Sequence, residues 1–325
     1  MTSADCGAER SAQPPCGAEL SPRTTGDASF SLYSHRFGEA FHCAAGAVAE
    51  ARSTYVGPAQ LARFGRGSTL VVLDVCVGTG SNTAALLEAA ADHGLTLQWW
   101  GLELEPAPLQ LALAHEGFCN QWRPEALEPL RQLTQSGTWR SPLGRGQVLW
   151  GDARAQLPLL TGELGGQVDL GLLDAFSPRH CPELWTLEFL GGLAGLLAPG
   201  GRLLTYCSAA AVRAALLELG LQLAAIRSGA GERWSGGTAA GWAPLLAADE
   251  PLAEHWLRPL SPMEQDHLRT GAAEPYRDSR GQASAQQILA ARELRRQDRV
   301  ASGALEFTSA WRRRWGLDRA AVSAN

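Results

Sequence analysis

Residues 69–76 are nearly all apolar and run straight into Gly78-Thr79-Gly80, after which 82–93 has helical periodicity. A short unbroken apolar run fits a strand buried on both faces. Glycines directly behind it let the backbone turn sharply and approach a bound molecule, because no Cβ intervenes. A strand covered on both faces needs helices above and below it. That excludes an all-β sandwich and a helical bundle in favour of an α/β fold.

The rest of the chain agrees. Further strands are expected at 96–103, 147–150, 168–173 and 202–207, and helices at 106–115, 124–133, 183–197 and 209–219. Strands alternating with helices imply a mostly parallel sheet. Residues 1–29 are rich in small and polar types and read as a loose tail. Residues 30–250 read as the α/β domain with an N-terminal segment, 251–317 as a helical C-terminal appendage, and 318–325 as a tail. In the appendage, 261–270 and 283–300 have helical patterns, and Ser261 with Glu264 has capping-box spacing.

Composition narrows the class. Apolar residues make up 45 % of 325, enough for a packed core, and no apolar run reaches the roughly 18 residues of a membrane span. The seven cysteines are scattered with no CxxC, so neither a metal site nor a disulfide framework is expected, and a reducing cytoplasm is the implied compartment. The net charge of -5 does not announce a polyanion ligand. It is unevenly spread: residues 1–260 carry 17 Arg and 25 acids, whereas the chain from 261 onward carries 11 Arg and 8 acids. Arg292, Arg295, Arg296 and Arg299 recur at helical spacing, and Arg312-Arg313-Arg314 lie between Trp311 and Trp315. These residues fit either a phosphate-facing surface or a helix whose arginines pair with the chain's own acids.

Acids mark the sheet's carboxyl edge, where open α/β sheets bind ligands. Asp74 precedes the glycine turn, Glu103 ends the second strand, Asp152 follows the third and Asp174 follows the fourth. A pyrophosphate would be repelled by Asp74, and Thr83 stands where a dinucleotide-binding turn has its third glycine. A cationic ligand with ribose hydroxyls and an adenine amino group suits these acids, so S-adenosyl-L-methionine is the expected cofactor. Asp74, Gly78, Thr79, Gly80, Asn82, Glu103, Asp152 and Asp174 are its expected pocket. Each acid taken alone also fits an ordinary turn, cap or solvated strand end. Asp174 is followed by Phe176; the carboxylate can orient an amine for in-line methyl transfer, and the ring can stack on a base or simply fill the core.

The block Asp174-Ala175-Phe176-Ser177-Pro178 followed by Cys181-Pro182-Glu183-Leu184-Trp185-Thr186 resembles the DxFxP…NPxLWT signature of the MnmC methyltransferase family. Gly78-Thr79-Gly80-Ser81-Asn82 is similar to the family's GTGxN, and Pro199-Gly200-Gly201 with Thr205-Tyr206-Cys207-Ser208-Ala209 to its PGGxxxTYxSA block. Upstream, Tyr33-Ser34, Phe37-Gly38-Glu39, Gly46, Glu50 and Tyr55-Val56 are similar to its N-terminal segment, and the likeness extends to about residue 317. Cys181 stands where the family has Asn, and Gly229-Ala230-Gly231-Glu232-Arg233 lacks the family's Lys.

The resemblance implies a Rossmann-like class I S-adenosylmethionine-dependent methyltransferase with no metal and no membrane attachment. It implies that 5-aminomethyl-(2-thio)uridine at the tRNA wobble position becomes the 5-methylaminomethyl form. Asp174 and Phe176 would be catalytic, and Phe176, Pro178, Trp185 and Arg233 would bind substrate. No second, flavin-binding half is seen in this sequence, so upstream wobble-uridine modification enzymes are expected to supply the aminomethyl group. A small-molecule amine or another nucleic acid as acceptor, or a non-catalytic RNA- or partner-binding scaffold, remain the competing readings.

Overall fold

A computed structural model describes residues 19–43, 46–227, 234–246 and 256–317. The apolar run becomes β4 (Thr69–Val75) at the centre of a nine-stranded sheet. The other strands are β5 (Thr96–Glu103), β6 (Thr138–Ser141), β7 (Gly144–Trp150), β8 (Val168–Leu173), β9 (Leu197–Thr205), β10 (Gln222–Arg227), β11 (Ser235–Gly241) and β12 (Leu257–Arg258). They lie in the order β12-β10-β11-β9-β8-β4-β5-β7-β6. The five expected strands, β4, β5, β7, β8 and β9, are those that pair in parallel. Helices pack apolar side chains onto both faces, and the core divides into one cluster on each side. No helix among the described residues is long and apolar enough to cross a membrane.

The antiparallel strands β6, β10, β11 and β12 were not expected. In β11 the sequence Ser-Gly-Gly-Thr-Ala-Ala-Gly has no alternation to read. Small residues are required there by close approach: a Cβ on Gly237 would lie 2.3 Å from the Thr205 carbonyl oxygen. The helix expected over 183–197 divides into a 3₁₀ turn, Pro182–Trp185, and a helix, Leu187–Leu196, with Thr186 Oγ1 accepting from the Phe189 amide between them. Strand β9 begins at Leu197 and carries Pro199-Gly200-Gly201 within it.

The N-terminal segment holds a correction. The tail expected through residue 29 contains strand β1 (Leu20–Thr24), which pairs with β2 (Phe30–Ser34). With β3 (Glu39–Ala40), these form a small antiparallel sheet beside the main one. Leu20 and Phe30 are buried in the core, which is what holds the segment down. A helix, Ala47–Glu50, then passes into a π-helical turn, Ala51–Val56.

The appendage is built from the helices Pro262–His267, Ala285–Ala301 and Thr308–Arg314, with reciprocal capping boxes at Ser261/Glu264 and Ser284/Gln287. Several of its arginines pair with the chain's own acids while staying partly exposed. Arg295 and Arg299 pair with Glu274, Arg296 with Glu293, and Arg314 with Asp266 and Glu306. Arg292 donates to the carbonyls of Glu274 and Ala272. Trp311 is buried and donates to the Met263 carbonyl, so it anchors the helix rather than presenting a stacking face. At its base Glu264 bridges the buried Arg213 and Arg258, tying the appendage to the sheet.

Gly80 shows how tightly the first crossover is packed. It has φ +84°, and a Cβ there would stand 2.8 Å from Leu109 Cδ1 and 3.0 Å from Leu130 Cδ1. Both the left-handed backbone and the packing oppose a side chain. Gly80→Ala should cost about 1–3 kcal/mol, read as a lower urea midpoint with an unchanged slope. An unaltered midpoint would show that the helix can shift to accept the methyl group.

Candidate active site

The strand order reverses at β4, with β5 and β7 on one side and β8 and β9 on the other. Crossovers leave in opposite directions there and open a crevice at the carboxyl ends of the strands. A cavity of about 540 Å³ occupies that crevice. Residues after four strand ends line it: Gly78 and Thr79 after β4, Glu103 on β5, Asp152 after β7, and Asp174 and Phe176 after β8.

The turn after β4 sits close to the cavity floor. Gly78 has φ +58°, and a Cβ there would meet Phe41 at 3.2 Å. Glu103 braces it: Oε2 accepts from the Gly78 amide at 2.8 Å and Oε1 from the Leu104 amide at 2.7 Å. Burial pushes the Glu103 carboxyl up to about 7, with the backbone donors pulling the other way. Oε1 also accepts from the Glu105 amide at 3.4 Å, so it is Oε2 that keeps a second lone pair able to accept from a ligand hydroxyl. Asp152 caps the helix Ala153–Gln156 through the Arg154 amide and also pairs with the Arg154 guanidinium at 2.8 Å. Burial opposes the charge on Asp152, but the Arg154 donors outweigh it and lower its pKa. It therefore combines the capping role with a place on the cavity wall.

Asp174 is the most elaborately held acid. Its Oδ1 accepts from the Tyr55 hydroxyl at 2.7 Å and its Oδ2 from the Asn82 amide at 2.7 Å. Asn82 belongs to the helix that follows the glycine turn, so one hydrogen bond ties the turn to the acid after β8. Burial, followed by the charge of Glu50, raises Asp174 to about 7 despite those two donors. Next to it, Phe176 stacks on Phe37 with centroids 4.7 Å apart and meets the edge of Phe41 at 5.1 Å. Glu39 accepts from the Ser177 amide at 2.9 Å, so the β2–β3 hairpin is pinned to this same loop.

Several expected site residues lie elsewhere. Asp74 is fully buried and off the cavity wall; its Oδ2 accepts from Thr83 Oγ1 at 2.6 Å. Its side chain points from β4 into the following helix and orients the turn from behind, and burial lifts its carboxyl to about 6. Gly80 faces Leu109 and Leu130 rather than the cavity. Pro178 is buried off the cavity wall, and Trp185 is fully buried, donating from Nε1 to the Phe176 carbonyl at 2.8 Å. Trp185 thus sets the height of the Phe176 loop instead of touching a ligand. Arg233 lies outside the described residues.

The sequence pattern gave no role to Phe37, Glu39, Phe41, Glu50 or Tyr55, all of which reach the cavity or Asp174. They come from the N-terminal segment, where no strand-end spacing points to a ligand. The available signal was the likeness of Phe37-Gly38-Glu39, Glu50 and Tyr55-Val56 to the family's N-terminal segment, which assigned none of them a role.

A central parallel sheet, a glycine turn after its first strand and acids after the next three define a class I S-adenosylmethionine-dependent methyltransferase fold. A family described as S-adenosyl-L-methionine-dependent methyltransferase matches residues 128–240. In sequence and fold the chain is similar to the methyltransferase part of MnmC proteins. It is 34 % identical over 209 residues to the tRNA 5-methylaminomethyl-2-thiouridine biosynthesis bifunctional protein MnmC of Pseudomonas fluorescens Pf0-1, covering 61 % of this chain and 31 % of that protein. To the MnmC protein of Cupriavidus necator it is 29 % identical over 239 residues, covering 69 % and 35 %. The chain therefore spans about a third of the length of these relatives. The crystal structure of MNMC2 from Aquifex aeolicus superposes with a TM-score of 0.68 at 25 % identity, covering 86 % of this chain and 85 % of that one.

Proposed function

We propose that this chain methylates the exocyclic amine of 5-aminomethyl-(2-thio)uridine at the wobble position of tRNA in the cytoplasm. The observation that carries the reading is the Asn82–Asp174 hydrogen bond, which joins the cofactor turn to a half-buried carboxylate beside an aromatic wall. The names of the relatives support the acceptor.

The residues fit S-adenosylmethionine. The Gly78 turn has no Cβ between its backbone and the cavity, Glu103 offers acceptors to ribose hydroxyls, and Asp152 offers one to an adenine amino group. When bound, the cofactor supplies an electrophilic methyl group on a sulfonium. Asp174 accepts hydrogen bonds from the acceptor amine and aims its lone pair. Tyr55 and Asn82 fix that carboxylate so that little reorganisation accompanies transfer. Phe176, backed by Phe37 and raised by Trp185, offers its face to the base. Phe41 and the β2–β3 hairpin border the cavity and restrict water. The upstream wobble-uridine enzymes are the source of the aminomethyl group.

Mass spectrometry of wobble nucleosides tests this. A strain lacking the protein should accumulate the 5-aminomethyl nucleoside and lose its methylated form. An unchanged nucleoside profile would overturn the tRNA reading and leave a small amine as the acceptor.

A further inference from the structure

Glu39 and Glu50 line the same cavity as Asp174. Glu50 enters from the helix Ala47–Glu50 and Glu39 from strand β3. Their surroundings differ. Glu39 accepts from the Ser177 amide through Oε2 and is absent from the charges that act on Asp174, whereas Glu50 is among them. Asp174 is committed on both oxygens, to Tyr55 and Asn82. Glu50 accepts from the Cys43 amide through Oε2 at 2.9 Å. Its charge is felt by Asp174, Tyr55 and Tyr206, which places it beside the same pocket.

The chemistry asks for a proton acceptor. An alkylamine is an ammonium at neutral pH, as the lysine reference of about 10.4 shows. An ammonium has no lone pair to attack a methyl group. One proton must leave before transfer, and the Tyr55 and Asn82 donors favour the ionised form of Asp174, which weakens it as the group to receive that proton.

We infer that Glu50 is the proton acceptor of the methyl-transfer reaction, while Asp174 orients the nitrogen. This rests on the aminomethyl-uridine reading above. The acceptor ammonium gives one proton to the Glu50 carboxylate and becomes a neutral amine. Its lone pair forms the new N–C bond as the S–C bond breaks, and that electron pair stays on sulfur. The product leaves as a secondary ammonium, and Glu50 returns its proton to water. Burial raises the Glu50 pKa and the Cys43 donor lowers it, with a net upward shift that makes it a better base than a solvated glutamate. Its helix continues into the π-helical turn that carries Tyr55, so one element presents both the base and the hydroxyl that fixes Asp174. The groups around Glu50 are Glu39, His42 and Cys43 from the hairpin side, Asp174 from β8, and Tyr55 and Tyr206. His42 accompanies them as a neutral ring, since burial lowers it to about 4.

The test is the pH dependence of methyl transfer to an anticodon stem-loop carrying 5-aminomethyl-2-thiouridine. Glu50→Gln keeps an acceptor for the Cys43 amide but cannot take a proton. Its kcat/KM should fall about 10²-fold at pH 7. The deficit should shrink as pH rises toward 9.5, where solvent itself deprotonates the amine, while S-adenosylmethionine affinity stays within threefold. Glu50→Asp should retain part of the activity and the wild-type pH profile. A pH-independent deficit in Glu50→Gln would assign Glu50 a purely structural role and overturn the inference, as would wild-type rates. If Glu50→Gln does not fold, wild-type rates in Glu50→Ala or a flat profile in Glu50→Asp would overturn it equally. Absence of transfer by the wild-type protein would instead sink the tRNA reading itself.

Discussion

Asp174→Asn should lower kcat by about 10²–10³, the range seen when a preorganised group at a reacting centre is removed. Asn is nearly isosteric and can still accept from the Tyr55 hydroxyl, and Asn82 can rotate its amide to meet the new NH₂ group. The fold around β8 should survive. What disappears is the negative charge that aligns the amine and balances the positive charge it acquires. Because that charge acts at the reacting nitrogen, turnover should fall while S-adenosylmethionine affinity changes by less than threefold. Single-turnover kinetics alongside calorimetric titration separates the two. Comparable losses in both would mean that Asp174 holds the cofactor rather than the acceptor. Its defect should also persist at high pH, because orientation cannot be replaced by solvent. Wild-type kcat/KM should rise with pH through about 7, the value to which burial and Glu50 raise this acid, and the limb belongs to the two carboxyls as a pair.

Glu103→Ala should weaken S-adenosylmethionine binding by about 1–3 kcal/mol, or roughly five- to 150-fold. The carboxylate has two tasks. It supports the glycine turn through the Gly78 amide, and it lines the cavity. Glu103→Gln keeps acceptor capacity on one oxygen and should lose less. Proton linkage gives a second readout. The folded pKa of Glu103 is raised from 4.5 to about 7, so between those values the folded protein binds more protons than the unfolded chain. The ligand-free protein therefore loses stability at this group as pH rises through that window. Glu103→Gln, which does not titrate, should lose this group's share of the pH dependence of stability between pH 5 and pH 8. Thermal unfolding at pH 5 and pH 8 checks this. Unchanged affinity in folded Glu103→Ala would remove the residue from the cofactor site.

These two residues were legible in the sequence because each ends an apolar strand run. In a parallel sheet every strand end faces the same edge, so Glu103, Asp152 and Asp174 had to converge once the alternation of strands and helices was recognised. The same logic failed for Asp74, one position inside its strand. Side chains alternate across a sheet, and Asp74 points into the covering helix toward Thr83 instead of toward the ligand edge. Trp185 and Gly80 failed for a related reason: a motif fixes which residues stand near a site, not whether a side chain supports a loop or lines a wall.

Local pattern settled what depends on neighbours in the chain: the central strands, the glycine turn, the capping box at Ser261 and the acids at the sheet edge. Only the tertiary structure decided what depends on distant packing. It brought Tyr55 across 119 positions to Asp174 and laid Phe37 on Phe176. It also turned the appendage's arginines onto Glu274, Asp266 and Glu306. Charge in a sequence is a count, whereas its availability depends on which acids the fold places opposite. Burial raised Glu103 and Asp174 to about 7, because the work of keeping a carboxylate ionised is set by the surrounding dielectric, and that exists only once the chain has closed around it.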